Sequence, residues 1–190
     1  MVGLALLLAC AGHADPVDAK LLEAEGVVLA LSGGAELSAV LAQVDETGDG
    51  RALDVVAKDG ALEIQAPRTE WDLRSRTAVL TGGVVARRGP VTLRCAQMVV
   101  VFSEPGRVER ATATGQVRIA HGDRRGTADR AVLTTVDGRI ALTGSPVLTD
   151  GANQMSGERI VLHMDADKVV CEGCRMRIAP SAVKPGPGGR

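Results

Sequence analysis

Aromatic side chains are almost absent from this sequence of 190 residues, which has one Trp, one Phe and no Tyr. Proteins that bind single-stranded nucleic acid usually stack bases on aromatic rings, so this shortage argues against that class. The formal net charge is −1, and the chain therefore lacks the overall basic field that attracts nucleic acids. Its apolar content comes mainly from Val, Leu, Ala and Ile, which together with 23 Gly favours short strands joined by tight turns.

Residues that carry catalysis are scarce. The three His (His13, His121 and His163) are scattered, and the motif G-x-S-x-G is absent. Asp45-Glu-Thr-Gly-Asp-Gly50 begins like a calcium loop, but Val56 stands where such a loop requires a bidentate Glu. A lectin-like or cupin-like metalloenzyme would need clustered His or carboxylates. The sequence therefore predicts no enzyme, no bound metal and no cofactor.

A marked apolar run occurs at the N-terminus, where residues 1–19 resemble an export signal without the usual basic start. Leu7-Leu8-Ala9-Cys10 resembles a lipobox, in which Cys10 would carry the lipid. Cleavage after Ala14 is one alternative, and a buried N-terminal strand or a misassigned start codon is another. We expect an exported protein, anchored as a lipoprotein if Cys10 is modified. Residues 180–190, rich in Pro and Gly, are predicted to form a disordered tail.

Cysteine is also rare, with four residues at positions 10, 95, 171 and 174. Cys171-Glu-Gly-Cys174 is a C-x-x-C motif. In an exported protein this motif favours a local disulfide bond over a metal site, because the sequence offers no further ligands at a compatible spacing. Two reduced thiols flanking a Glu172-Gly173 turn are the alternative.

Glycine recurs at a nearly constant interval along the chain. The recurring glycines are Gly82, Gly115, Gly144 and Gly173. Small residues followed by polar ones form a second series between them, at Ala96, Ala128 and Gly157. A period of roughly 30 residues indicates an array in which one unit cannot bury its own apolar face, so that neighbouring units must stack.

Apolar and polar residues alternate between the glycines. Val117 and Ile119, for example, alternate with polar neighbours, and this period of two indicates half-buried strands. The stretch 36–44 alternates in the same way and is predicted as a strand. Asp137-Gly138 predicts a two-residue hairpin turn.

These patterns predict an all-β domain over residues 20–179. We expect an elongated jelly roll of stacked short antiparallel strands, roughly three for each repeat. Stacked repeats would enclose a continuous apolar interior. The two ends of such an array would be open strand edges, which must be protected or used for pairing.

Three segments carry a resemblance to a known family: GQVRIA, GTADRAVLTTVDGRIALTGSPVL and NQMSGERIVL. They resemble the OstA-like domain of lipopolysaccharide-transport proteins, and most of all its LptA type, a periplasmic bridge. The most specific part is residues 139–162, in which a strand, L-T-G, a strand, D-G-x-N and x-G-x-x-I follow in order. The resemblance covers residues 61–178 well and residues 25–60 loosely.

The resemblance implies a periplasmic protein shaped like a taco, whose apolar interior carries the acyl chains of lipopolysaccharide towards the outer membrane. It also implies end-to-end strand pairing with other OstA-like domains on inner- and outer-membrane components, and no nucleic-acid partner. Alternation and repeat alignment predict the residues that face this lipid-binding trough: Val84, Ala86, Leu93, Val117, Ile119, Ile140, Leu142, Leu148, Ile160 and Leu162.

Basic residues are concentrated in residues 83–130, which contain nine Arg and four acidic residues, a local excess of 9 − 4 = +5. A solvated outer face explains such a charge without any ligand. The functional alternative is an anionic head group held near the rim by Arg118, Arg124 and Arg125, because guanidinium groups match phosphate geometry.

The chain differs from the family pattern in its shortage of aromatics, in its C-x-x-C motif and in its lipobox-like start. The last feature favours the membrane-anchored sister component LptC, which shares the fold. The alternative function is therefore a structural or adaptor β-domain that pairs with partner proteins through its edge strands and carries no lipid.

Overall fold

The computed structural model describes residues 21–30, 36–45, 49–59, 61–103, 107–164, 166 and 168–179. The predicted export signal (1–19), the lipidation at Cys10 and the tail (180–190) lie outside these residues. The boundaries of the domain stay a prediction. Within the described part, no helix has the length and apolar character needed to cross a membrane.

The described residues form 14 β-strands in one antiparallel sheet, which confirms the all-β jelly-roll prediction. The strands are β1 Leu21–Ala30, β2 Glu36–Asp45, β3 Gly50–Asp59, β4 Leu62–Asp72, β5 Thr77–Arg88, β6 Val91–Phe102, β7 Val108–His121, β8 Arg124–Thr134, β9 Arg139–Thr143, β10 Val147–Asp150, β11 Asn153–Ser156, β12 Arg159–His163, β13 Lys168–Glu172 and β14 Arg175–Arg177. From β1 to β8 each strand pairs with the next one in the chain. The predicted strand at 36–44 is therefore confirmed as β2.

The sheet divides after β8, which pairs with two different strands along its length. Residues 130–134 of β8 pair with β9, and residues 124–127 pair with β10. One branch continues as β9, β12 and β13, and the other as β10, β11 and β14. Because each branch carries its own hydrogen-bond ladder, the C-terminal end of the sheet consists of two separate layers.

Strands β4 to β8 belong to both layers, because each of them bends at mid-length. We call the first wall residues 62–66, 84–88, 91–95, 117–121 and 124–128 with β10, β11 and β14. The second wall contains residues 68–72, 77–81, 97–102, 108–114 and 130–134 with β9, β12 and β13. The pairing register confirms this division, since each first-wall segment pairs only with its first-wall neighbour.

A row of β-bulges forms the corner between the two walls. The register shifts between residues 65 and 68, 81 and 84, 94 and 97, and 114 and 117 in successive strand pairs. Bulges bend a strand and increase its local twist, and their alignment folds the whole sheet along one line. Beyond β8 the same line is continued by breaks in the strands, at Gly144 and at Gly157.

The recurring glycines of the sequence lie on this corner. Gly115 has φ +77° and Gly144 has φ +74°, values that glycine adopts without strain. A Cβ at Gly115 would lie 2.8 Å from the Cβ of Ala96, and one at Gly144 would lie 2.6 Å from the Cβ of Asp129. The recurring glycines and the series of small residues between them therefore lie on the two sides of one corner.

Two details differ from the sequence predictions. Strands β4 to β8 are long and cross both walls, so the repeats up to β8 contribute two long bent strands each rather than three short ones, whereas the repeat after Gly144 contributes the four short strands β10 to β13. The β8–β9 hairpin is present, but its turn is Thr135–Gly138, closed by a 3.3 Å bond from the Gly138 amide to the Thr135 carbonyl. The predicted two-residue Asp137-Gly138 turn is wrong, because the strand pairing already ends at Thr134 and Arg139.

Candidate functional site

The ten residues predicted to face the trough all lie in the buried core between the two walls. The least exposed are Val84, Leu142 and Ile160, each at 0%, and the most exposed is Ala86 at 7%. Six of them lie on the first wall and four on the second. Pro146 and Leu148 are buried while Val147 is half-buried, so Leu148 points inward as predicted. Their contact with lipid stays a prediction.

Side chains from the two walls meet across the interior. A Cβ at Gly126 of β8 would lie 2.6 Å from Cγ2 of Ile119 on the first wall and 3.3 Å from Cδ1 of Leu142 on the second. One interior void, bordered by both walls around Leu93, Met98 and Leu133, measures about 20 Å³. That volume is close to the space that one water molecule requires. An acyl chain could enter this part of the interior only if the walls separated.

The inner face of the first wall ends in basic residues at its open edge, away from the corner. Backbone pairing joins Arg88 to Val91, Val91 to His121, and His121 to Arg124. Arg88, His121 and Arg124 are in phase with the buried residues of their strands, such as Val84 and Ala86 in β5. We call Arg88, His121 and Arg124 the basic rim.

The sequence predicted neither His121 nor Arg88 of the basic rim as a site, and of these two it is Arg88 that borders the interior. Its Nη1 atom is buried and has no hydrogen-bond partner. The side chain borders the same interior void as Met164, which lies at the open edge of the second wall. Because a buried donor atom without a partner is costly, the Nη1 atom of the half-buried Arg88 is suited to receive an anionic group at the mouth of the interior. The alternation 84, 86, 88 would have predicted its inward position.

The three arginines predicted for a head group are not brought together. Arg118 is exposed on the outer face of the first wall, between inward-facing Val117 and Ile119. Arg125 is exposed too, and its guanidinium group donates hydrogen bonds to the carbonyl oxygens of Gly122 and Arg124. Their head-group role stays a prediction from the sequence, and it competes with the proposal below, which places the head group at the basic rim and uses Arg118 as an outer-face control.

Arg124 alone of the predicted three lies on the inner face at the basic rim. Its Nε atom is 3.0 Å from Oδ2 of Asp150 on the neighbouring strand β10. This ion pair is partly exposed and neutralises part of the charge of the rim.

Cys171 and Cys174 are joined by a disulfide bond, with their Cα atoms 5.8 Å apart. Cys171 lies in β13, the last strand of the second wall, and Cys174 directly precedes β14, the last strand of the first wall. Cys95 is a buried free thiol, and its burial raises the pKa to about 11. The thiol of Cys95 is therefore protonated at neutral pH and unsuited to nucleophilic chemistry.

No group of three or more His, Cys, Asp or Glu side chains that could hold a metal ion occurs within the described residues. Asp45 and Asp49, from the calcium-loop-like segment, instead bond locally, with the Asp49 amide 3.1 Å from Oδ1 of Asp45. The arrangement between the walls offers apolar burial and a basic rim, both of which are means of binding.

Comparison with known proteins agrees with this geometry. The chain resembles LptH of Pseudomonas aeruginosa, described as the LptA homologous periplasmic component of the conserved lipopolysaccharide transport device. The TM-score is 0.56 at 19% sequence identity, over 63% of this chain and 95% of that one. At this identity the similarity establishes the fold. No curated protein matches the sequence.

Residues 63–168 match the family described as LptA/(LptD N-terminal domain) LPS transport protein. This segment contains the bent strands β5 to β8, the corner and both branches as far as the start of β13. It includes all ten predicted trough residues and the basic rim. Because the match covers more than half of the chain, the protein belongs to the LptA/LptD N-terminal domain family of lipopolysaccharide-transport proteins.

Proposed function

We propose that this protein is a periplasmic bridge component that carries the acyl chains of lipopolysaccharide between its two walls. The observation that carries the proposal is the continuous apolar lining of two facing walls in a member of a transport family. Each CH₂ group of an acyl chain that leaves water for this lining contributes ~0.8 kcal/mol. No hydrolytic site is needed, because the directional movement would be driven by a partner with its own energy source.

The interior around Leu93, Met98 and Leu133 is narrow, so the walls must separate there when a chain enters. Part of the apolar contact between the walls is then replaced by contact with the acyl chain. The net free energy of binding is therefore less favourable than the apolar area of the buried chain alone suggests. Such an exchange favours binding that is strong enough to hold a chain and weak enough to release it. This property suits a protein that passes its ligand on.

Site-specific photo-crosslinking tests the position of the acyl chains. A benzophenone amino acid would replace Phe102 or Met164, which are half-buried against the core near the open edge of the second wall. The matched control is Arg118, exposed on the outer face. We expect lipopolysaccharide to label the first two positions and not the third. Equal labelling at Arg118, or no labelling at Phe102 and Met164, would contradict acyl transport between the walls.

Within the same proposal, the basic rim receives the anionic head group. Arg88 supplies a buried donor without a partner, and Arg124 supplies a second guanidinium group three strands away along the first wall. We expect Arg88→Gln to weaken lipopolysaccharide binding about tenfold, the effect of losing one charge-assisted hydrogen bond of ~1.4 kcal/mol. Arg118→Gln, its outward-facing control, should leave the affinity unchanged in isothermal titration calorimetry. Equal losses in both variants would contradict a head-group role for the rim.

A second function is favoured by the small interior void and the open edges of the sheet. Among the described strands, β1 pairs on one side with β2, β13 pairs on one side with β12, and β14 pairs on one side with β11. Unpaired strand edges recruit further strands, so an adaptor that links partner domains without carrying lipid could use the same fold. Native mass spectrometry after gentle extraction distinguishes the two functions. Bound lipid supports transport, whereas lipid-free protein in complex with partner domains supports the adaptor.

A further inference from the structure

The outer face of the second wall contains a groove that belongs neither to the apolar interior nor to the strand edges used for pairing. Its volume is about 650 Å³, and it extends across strands β7, β8, β9, β12 and β13. The residues that line it are the outward-facing partners of the buried core residues. It is therefore separated from the apolar interior by the thickness of the sheet.

Three parallel rows of side chains cross the strands on this face, as the pairing register shows, and most of their members line the groove. The middle row is formed mainly by small apolar residues: Thr112, Val132, Ala141, Val161 and Val170. One flanking row contains Arg110, Thr134, Arg139, His163 and Lys168. The other contains Thr114, Arg130, Thr143, Arg159 and Glu172. An apolar strip is thus bordered by arginines on both sides.

Two of the four arginines are free to bind a ligand. Arg139 is paired with Asp137, and Arg159 lies 3.5 Å from Glu172. Arg110 and Arg130 are exposed and have no ion pair within the part of the chain that the structure describes. They lie on opposite sides of the apolar strip, so free positive charge borders both of its margins.

The dimensions of the groove follow from strand geometry. The flanking rows are four residues apart along each strand, a distance of about 13 Å. Five neighbouring strands give the strip a length of about 19 Å. An α-helix with its side chains is about 10–12 Å wide, and about 13 helical residues span this length. A helix with an apolar stripe on the strip would place residues on both of its flanks beside the arginines.

We propose that this groove docks an acidic amphipathic helix of a partner protein. The partner helix would have an apolar stripe bordered on both sides by Asp or Glu. Charge on both margins favours a helix over a lipid, because a lipid molecule concentrates its charge at one end of its apolar part. An added β-strand would pair along an edge of the sheet and would leave this face uncovered.

Fluorescence anisotropy tests the proposal with a stapled helical peptide just long enough to span the strip. The peptide has Leu and Ala along one stripe and Glu on both flanks, and its control has Lys in place of Glu. We expect the Glu peptide to bind and the Lys peptide not to bind. Arg110→Gln with Arg130→Gln should weaken binding at least tenfold, whereas Arg118→Gln on the first wall should have no effect.

The design separates this proposal from lipid transport. The double variant should keep its melting temperature and its lipopolysaccharide crosslinks at Phe102 and Met164, because the groove is on the opposite face of the sheet. The proposal is overturned if the Glu peptide does not bind, or if it binds the double variant equally well. It is also overturned if phosphatidylglycerol vesicles bind through Arg110 and Arg130 while the peptide does not.

Discussion

Individual residues at the corner combine two requirements that only glycine meets. Gly115 has a positive φ, and its α-carbon lies too close to Ala96 for any side chain to fit without displacement. Gly122, in the β7–β8 turn, has φ +58° but open space around it. The comparison of these two positions separates the cost of the backbone conformation from the cost of the close approach.

Gly115→Ala should lower the free energy of unfolding by more than Gly122→Ala does. Both substitutions place a Cβ at positive φ, at a cost of ~1–2 kcal/mol. Gly115→Ala additionally creates the clash with Ala96, so we expect a further loss of ~1–3 kcal/mol. Urea denaturation followed by circular dichroism measures both values.

A double substitution provides the control for this prediction. Ala96→Gly removes the atom that the new Cβ meets, so Ala96→Gly with Gly115→Ala should recover part of the loss. Additive effects of the two substitutions would show that the close approach does not determine the choice of glycine.

The Cys95 thiol should react with maleimide or Ellman's reagent only after unfolding. Its pKa of about 11 leaves little thiolate at mildly alkaline pH, and its side chain is buried between the walls. In the unfolded chain a thiol has a pKa of about 8.5 and reacts freely. Mass spectrometry of protein labelled with and without urea measures the difference. Rapid labelling of the native protein would contradict a closed interior at this position.

The same pKa shift predicts a dependence of stability on pH. Because the pKa of Cys95 is higher in the folded state, the folded state holds the proton more tightly. The contribution is fully present below the unfolded pKa and is lost as the pH rises towards about 11.

At the scale of the strand, alternation assigns each side chain to one face of the sheet. Val100 in β6 is 1% exposed, while its neighbour Val99 faces outward and is half-buried. The two residues are chemically identical and adjacent, so any difference between them comes from the face on which they lie.

Val100→Ala should therefore cost more stability than Val99→Ala. Removing two buried carbon atoms and leaving a cavity at Val100 should lower the free energy of unfolding by ~2 kcal/mol. At the half-buried Val99 we expect a loss of less than ~1 kcal/mol. Chemical denaturation of both variants is the measurement, and equal losses would mean that the register of β6 is shifted by one residue.

Features that depend on neighbouring residues could be predicted from the sequence, whereas features that depend on distant parts of the chain could not. The inward positions of Val117 and Ile119 depend only on alternation, and the corner glycines depend on a backbone conformation at one position. The division of the sheet after β8 depends on pairing between segments far apart in the chain, which no local pattern encodes. The inward position of Arg88 obeys the same alternation but was not predicted, and the unpartnered Nη1 atom is a property of the packed structure.

At the scale of the whole molecule, one disulfide bond reinforces the short main-chain link between the last strands of the two walls. The disulfide between Cys171 and Cys174 connects β13 to the segment that enters β14. Elsewhere at this end, the layers are held together by apolar contact and by the connections along the chain.

Replacing both Cys171 and Cys174 by Ser should loosen this end selectively. For a loop this short, the chain-entropy account gives a loss of ~2 kcal/mol in the free energy of unfolding. Hydrogen exchange measured by mass spectrometry should accelerate in β13 and β14, while β5 and β6 keep their protection. Uniform acceleration along the chain would mean that the bond stabilises the molecule as a whole rather than its C-terminal end.

The aligned bulges have a mechanical consequence for the whole molecule. Along this line the backbone hydrogen-bond ladder is already interrupted. The two walls can therefore rotate about it as rigid layers while the hydrogen bonds within each wall remain intact. The resistance to opening then comes from the apolar contact between the two walls. For the acyl chain of the proposed function, we expect an opening made at one end of the walls to move towards the other end, so that the chain advances together with the gap that holds it.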